Sequence, residues 1–296
     1  MAQKPVVPVA LHSETVKRFI GFIRERHSIY TLRQAGKPKP WTKNEILQRF
    51  RFCNVYRELD KVTQWIRKNW REPYANDPDL WFAMVVARLV NWPETLETLT
   101  PIIFKGGKVS WRQDMFIRAM HIRRKNDEQM FGGAYIVSTN GMTMDKAEYL
   151  AKHVLTPLWE HRVSIRPKTG DFLWQFHERL GGYIGMGSFM AGQVVADLKY
   201  HGVLKDARDW NTWAAPGPGS KRGLNRVCGR DIATSWRPHE WLMTLHRLKD
   251  QVDIAVYDSK LPPIHSQDLQ NCLCEFDKYE RVRLNEGRPR STYPGR

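Results

Sequence analysis

Leu180-Gly181-Gly182-Tyr183-Ile184-Gly185-Met186-Gly187-Ser188-Phe189-Met190-Ala191 runs out of one periodic apolar segment and into another, Gly192 to Tyr200. A helix, a short turn carrying Gly-x-Gly and a second helix make a helix–hairpin–helix, spanning roughly residues 172–200. Glycine accepts backbone angles that side chains resist, and it lets another backbone or a phosphate come close. Free amides at the start of the second helix then favour an anion. Gly185, Gly187 and Ser188 are therefore the expected DNA-phosphate contacts. Helix–turn–helix packing also uses glycines, so the charge of the whole chain has to decide between the two readings.

That charge is large. The 296 residues carry 47 Lys plus Arg against 31 Asp plus Glu, a formal net charge of +16. Such a surplus attracts polyanions and speeds association with them. It is interleaved with 12 Trp, 10 Tyr and 12 Phe, a mixture suited to stacking bases while holding phosphates. Most of those rings must still be ordinary core. No apolar run approaches the ~20 residues of a membrane span, and Met1 to Ala10 lacks the pattern of a signal peptide. Cys53, Cys228, Cys272 and Cys274 form no disulfide framework, and Cys272-x-Cys274 has no matching pair or spaced His for zinc. A reducing cytoplasm is the expected setting.

Helical periodicity dominates, so the expected fold class is mostly α. An opening helix is expected from Ser13 to Arg26, then a Lys/Pro-rich hinge from Gly36 to Trp41. Thr42 is expected to cap a helix through Phe52. Tyr56 to Trp70 places Leu59, Val62, Trp65 and Ile66 on one face, and Asp79 to Val90 is apolar almost all round, which marks a buried helix. Lys105 to Lys108 reads as a turn and Arg112 to Lys125 as a basic amphipathic helix. Gly133 to Ile136, followed by Asn140-Gly141, suggests a short hairpin. Helices over Thr143 to Glu160 and Asp171 to Leu180 follow, and the tail from Asn285 is expected to lack structure on its own. The expected organisation is an N-terminal helix and hinge over residues 1–40 and one helical catalytic domain over residues 41–296.

Three further segments carry candidate chemistry. Asp209 to Arg226 contains Gly217-Pro218-Gly219-Ser220-Lys221-Arg222-Gly223-Leu224-Asn225, in which glycines, a hydroxyl and two cations meet at the mouth of a helix. Gly219, Ser220, Lys221, Arg222 and Asn225 are the expected pyrophosphate-binding set. A solvated surface loop is the bland alternative, which Trp210 and Trp213 argue against. Gly-x-x-x-x-Gly-Lys-Ser/Thr occurs nowhere, so a phosphate-loop kinase is not expected. In His265 to Tyr279, Asp268, Asn271, Glu275 and Lys278 form one polar stripe, opposite Leu269, Leu273 and Phe276. A solvated face explains such a stripe equally well. Phe52 to Lys61 packs polar and charged groups ahead of an apolar helix, with surface salt bridges as the bland account. His239-Glu240 lacks a second His at the zinc-peptidase position, which Met243 occupies, so no metal ligands are assigned.

Together these segments resemble a phage DNA-hypermodification family. It includes the helical domain associated with 5-hydroxymethyl-deoxyuridine DNA kinases, the alpha-glutamyl/putrescinyl-thymine pyrophosphorylases, and amino acid:DNA transferases. The resemblance rests on Arg51 to Thr63, Gly133 to Ile136, the turn around Gly185, Gly217 to Asn225, and Leu273 to Tyr279. It spans roughly Trp41 to Tyr293, and several motifs in one order are more specific than any alone. The implied fold is helix–hairpin–helix and DNA glycosylase-like. In such glycosylases a catalytic Asp follows the hairpin after about another helix, and Asp206 and Asp209 fall near that place.

The resemblance implies a reaction on duplex DNA carrying a modified pyrimidine. A separate kinase pyrophosphorylates 5-hydroxymethyluracil; the amine of an amino acid or polyamine then displaces pyrophosphate from the 5-methylene carbon. With no kinase motif, this chain resembles the transferase that acts second. Base flipping would expose the target. Asp209 or Glu275 would take the amine's proton, with Lys278 beside them, while Asn54, Tyr56, Arg57 and Arg288 would bind substrate, an Arg forking a donor carboxylate. No cofactor is assigned, and Mg²⁺ is compatible with a pyrophosphate leaving group. The expected setting is the cytoplasm of an infected bacterial host. A glycosylase acting on a modified base, and a non-catalytic DNA-binding partner of the kinase, remain open.

Overall fold

The computed structural model describes residues 7–133, 138–289 and 292–293. In chain order its helices are α1 (Ser13–Gln34), α2 (Glu45–Arg49), α3 (Lys61–Ile66), α4 (Leu80–Val90), α5 (Pro93–Ile103), α6 (Gln113–Lys125), α7 (Lys146–Tyr149), α8 (Thr156–Glu160), α9 (Arg162–Ile165), α10 (Leu173–Gly181), α11 (Ser188–Leu198), α12 (Pro218–Val227), α13 (Pro238–Asp258) and α14 (Ser266–Arg283). The protein is mostly helical, and among the described residues its one sheet is a two-stranded hairpin. No described helix is long and apolar enough to cross a membrane. The chain divides into two units: Met1–Asp60 with Asn211–Arg296, and Lys61–Trp210. The N-terminal helix α1 thus belongs to the same unit as the C-terminal helix α14.

The first unit is built on aromatic packing. Val16, Phe19, Phe22 and Ile23 form the buried stripe of α1. Phe19 meets Phe276 of α14 edge-on at 5.1 Å between ring centroids, and Phe22 lies 5.0 Å from Tyr279. Trp241, Leu245, Leu248, Val252 and Val256 of α13 close the same core. The helix α1 runs past the expected Arg26 to Gln34, because Arg26 and Ile29 continue its buried face. Asn44, not Thr42, caps α2 through the amides of Ile46 and Leu47; Thr42 instead accepts from the Asn44 amide at 2.9 Å. The helix ends at Arg49, and Phe50 pairs with Thr292 of the tail, so that part of the tail is held.

Two glycines set how closely α12 and α14 approach. A Cβ on Gly223 would lie 2.1 Å from the Leu273 carbonyl oxygen, and one on Gly219 would lie 2.4 Å from the Cys274 sulfur. Any larger residue would force the helices apart. These glycines thus have a packing reason, whatever else they do.

In the second unit every residue of α4 is buried, as its all-round apolar sequence predicts. Arg88 is the exception in kind. Its guanidinium forks onto Asp197 of α11, both contacts at 2.6 Å, inside a region neither side chain leaves. Buried charges survive when paired in this way. Phe104–Lys105 and Lys108–Val109 make the hairpin, with Gly106 and Gly107 at left-handed angles, so the turn expected there is present. The helical reading of Thr143 to Glu160 resolves into α7, a wide π-type turn over Leu150–Leu155, and α8, with Asp145 capping. The hairpin read into Gly133 to Ile136 lies largely outside the described residues.

The helices α10 and α11 form a pair joined by a glycine turn. Gly185 has φ +79°, and its Cβ would meet Val154 at 2.8 Å, so both backbone and space demand glycine. The helix α11 starts at Ser188, four residues before the expected Gly192, because Gly187 is its N-cap.

Candidate functional site

The segment 51–60 lies in an extended stretch and a short 3-10 turn that run along α14 in the first unit. Three hydrogen bonds fasten it there. The Cys53 amide donates to Glu275 Oε2 at 3.1 Å, the Arg57 amide to Asp268 Oδ1 at 3.0 Å, and Asn271 Nδ2 to the Asn54 carbonyl at 3.3 Å. The polar stripe of α14 is therefore no solvated face. Asp268, Glu275, Asp277 and Glu280 are each at most 3% exposed, which requires partners for every charge.

Those partners are present. Glu275 is ion-paired with Lys278, Asp268 with His265 at 3.0 Å, and Glu280 with Arg283 at 2.7 Å and Arg18 at 3.2 Å. Asp277 accepts from Arg222 and Arg226, both at 2.9 Å, and Arg226 reaches on to Glu286. Burial works against the Lys278 ammonium, but Glu275, with Cys53 and Cys274 adding, raises its pKa above the ordinary lysine value. It is a cation here, not a free amine. Glu275 beside it holds the Cys53 thiol well above its usual range, and burial pushes Cys228 and Cys272 up to about 12. These thiols are poor nucleophiles at neutral pH.

The expected substrate contacts fall as follows. Asn54 bonds Leu59 and Asp60 within its own turn. Tyr56 is buried with its hydroxyl on the Pro262 carbonyl, and burial raises its pKa. Arg57 is buried, while Arg288 is exposed. Asn54, Tyr56 and Arg57 thus form part of the framework that carries Glu275, and Arg288 stands on the surface of the same unit.

The helix α12 carries the expected pyrophosphate set. Ser220 is fully buried, and its hydroxyl exchanges hydrogen bonds with the amide and carbonyl of Gly217, both at 3.0 Å. Asn225 is 1% exposed and donates to the carbonyls of Ile232 and Thr234. Arg222 is committed to Asp277, and Gly219 to the approach of Cys274. Lys221 is the member of the set that faces solvent.

In the second unit, Asp209 accepts from the amides of Leu173 at 2.8 Å and Trp174 at 3.2 Å, so both its oxygens cap α10. Gly187 and Ser188 are exposed at the turn into α11, and a Cβ on Gly187 would meet nothing within 4 Å. No packing demand explains that glycine. Beside it Ile184 is 58% exposed. Among the described residues, His121, Asp145 and Glu148 form one group of metal-ligand type, with donor atoms within 4.8 Å of one another. Asp145, however, already caps α7 and pairs with Arg124.

Motif reading missed Arg26, which is 4% exposed on the inner face of α1. The signal was a charge inside the Phe22, Ile23, Ile29 stripe. Arg88 and Asp197 were missed as well, since paired buried charges hundreds of atoms apart leave no local pattern.

Fold and site together define a basic helical protein whose scattered polar motifs close on α14. The chain belongs to the family of the 5-hmdU DNA kinase helical domain, which it matches over residues 13–288. It is similar to a 5-hmdU DNA kinase of Bacillus phage SP10, with 27% identity over 231 residues, covering 71% of this chain and 35% of that protein. The chain thus spans about a third of the length of this relative. No solved structure matches it.

Proposed function

We propose that the protein is an amine:DNA transferase acting on pyrophosphorylated 5-hydroxymethyluracil in duplex DNA. The nitrogen of an amino acid or polyamine attacks the 5-methylene carbon. The carbon–oxygen bond to pyrophosphate breaks, its electron pair leaves with pyrophosphate, and the surplus ammonium proton passes to a carboxylate. The observation that supports this reading best is the ion pair of the buried Glu275 carboxylate with the partly exposed Lys278, with Glu275 also clamped to the Cys53 amide across 222 residues of chain. A buried carboxylate beside a cation that reaches the surface suits a step that moves a proton and gathers negative charge. Glu275 is the proposed proton acceptor, and Lys278 positions it.

Asp209 is not given that role, because it serves as the cap that holds the N-terminus of α10. The same point weighs against a glycosylase, whose Asp would have to face the sugar. The turn at Gly185, Gly187 and Ser188 is proposed to hold the DNA backbone, in a glycosylase-like helix–hairpin–helix that would present a flipped base. A second reading follows from the kinase relative. A chain spanning 35% of a kinase is suited to presenting DNA to kinase machinery without chemistry of its own. Phosphorus NMR of pyrophosphorylated DNA separates the two. The transferase releases pyrophosphate only when an amine donor is added, whereas the presenting module binds the DNA and releases none.

A further inference from the structure

The α12 turn leaves one cation, Lys221, for a leaving group that carries several negative charges. A different part of the first unit holds more. Arg26, Tyr30, Arg33, Phe52, Cys53, Asn54 and Tyr293 line a small depression between α1, the segment 51–54 and the tail. Its enclosed part admits about one water-sized group.

Arg26 forms its floor. One Nη donates to the Cys53 carbonyl, and the guanidinium stacks 4.9 Å from the Phe22 ring and lies against Cys272. Its Nε and Nη1, both buried, have no hydrogen-bond partner among the described residues. Leaving buried charged donors unmade is costly, because their hydration is lost with nothing in its place. No carboxylate lies within ion-pair distance of Arg26 among the described residues. The acids that face it are Asp60, which is engaged with the Asn54 amide, and Glu275, which is paired with Lys278.

The rim repeats the pattern. Arg33 and Lys39 sit over both Trp41 and Tyr293, at 5.3–6.0 Å from the ring centroids, and Arg51 lies 5.3 Å from Tyr293. None of these three has an ion-pair partner among the described residues. Three cations around two aromatic rings, with Arg26 and its unmet donors beneath, make a built site for a multiply charged oxyanion.

We infer that a phosphate group binds at the mouth of this depression, which Arg26 and Arg33 line and beside which Lys39 and Arg51 sit against Tyr293, with at most one of its oxygens entering toward Arg26. The group is either a pyrophosphoryl or a phosphate of the DNA strand. The assignment stands on the geometry and does not require that transfer occurs.

The test is calorimetric titration of the full chain with inorganic pyrophosphate, inorganic phosphate, glycine, glutamate and a short DNA duplex, at fixed salt. It compares the native protein with Arg26→Lys, with Arg33→Gln/Arg51→Gln, and with Lys17→Gln as a surface control. Pyrophosphate is expected to bind the native protein and the control alike, and about tenfold or more weakly to each of the other two. The Arg33/Arg51 pair is exposed, so it decides the matter even where Arg26→Lys fails to fold. If the duplex weakens in step with pyrophosphate, the bound group is a strand phosphate; if only pyrophosphate weakens, it is the pyrophosphoryl. Unchanged pyrophosphate binding in the variants, or binding of glycine and glutamate with none of phosphate or pyrophosphate, overturns the assignment. Intact pyrophosphate binding with no amine transfer would defeat the transferase reading and leave this site standing.

Discussion

The Cys53 amide donates to the Glu275 carboxylate, one of the bonds by which the segment 51–60 is fastened to α14. The carboxylate has Lys278 on its other oxygen, so its position is fixed from two sides. Glu275→Gln keeps an acceptor for the amide but leaves Lys278 with a charge and no partner. Urea unfolding is expected to show a loss of about 1–3 kcal/mol. Adding Lys278→Met should restore much of that stability, since both charges are then gone. Transfer should stay lost in the double variant, and recovery of transfer would show that the pair is only structural.

Gly223→Ala places a methyl 2.1 Å from the Leu273 carbonyl. Overpacking of this kind costs about 1–3 kcal/mol, because backbone has to move. Gly187→Ala, where a Cβ meets nothing within 4 Å, should cost far less. A thermal melt of the two variants side by side reads the difference. Equal melting temperatures would mean that α12 and α14 can separate freely.

Much of this was legible beforehand. The all-apolar run Leu80–Val90 could only be a buried helix, and the glycine turn before α11 announced a helix pair. The motifs 51–60, 217–225 and 273–279 were also readable as a set. Their assigned jobs were harder. Ser220 and Asn225 are types that bind anions, yet here they bond the backbone of their own turns, and nothing local distinguishes the two uses. Asp209 sits where a catalytic Asp would follow a hairpin, but a cap to a helix 36 residues earlier is invisible without the fold. Arg26 shows the reverse: a buried cation without a motif, evident only once α1 is seen to turn it inward.

Asp209→Ala is expected to lose about 1 kcal/mol of stability, the ordinary effect of removing a helix cap. Asp209→Asn keeps an acceptor oxygen and should retain transfer. A folded Asp209→Asn protein with no transfer would return that carboxylate to the chemistry.

Ser188→Glu separates folding from DNA contact. A carboxylate in the first turn of α11 favours the helix dipole, so the melting temperature should hold or rise. The same charge repels a phosphate, so DNA affinity should fall and its dependence on salt should flatten. Unaltered affinity would remove the Gly187–Ser188 turn from the DNA-binding surface.

Acid should loosen the start of α7. Burial opposes ionisation of Asp145, but Arg124, the Glu148 amide and His121 together hold its carboxyl below the usual value. Its contribution is therefore fully present above the unfolded value of about 3.9 and is lost as pH falls through the lower folded one. Asp145→Asn should flatten that part of the stability profile below about pH 4, and an unchanged profile would contradict the assignment.

The most direct test of the account is mass spectrometry of nucleosides from duplex DNA bearing pyrophosphorylated 5-hydroxymethyluracil, after incubation with the protein and a pool of amino acids and polyamines. The account predicts a new nucleoside heavier by one amine donor in place of the pyrophosphate, absent with Glu275→Gln/Lys278→Met. Recovery of the starting nucleoside from DNA demonstrably bound by the protein, or loss of the base, would contradict it.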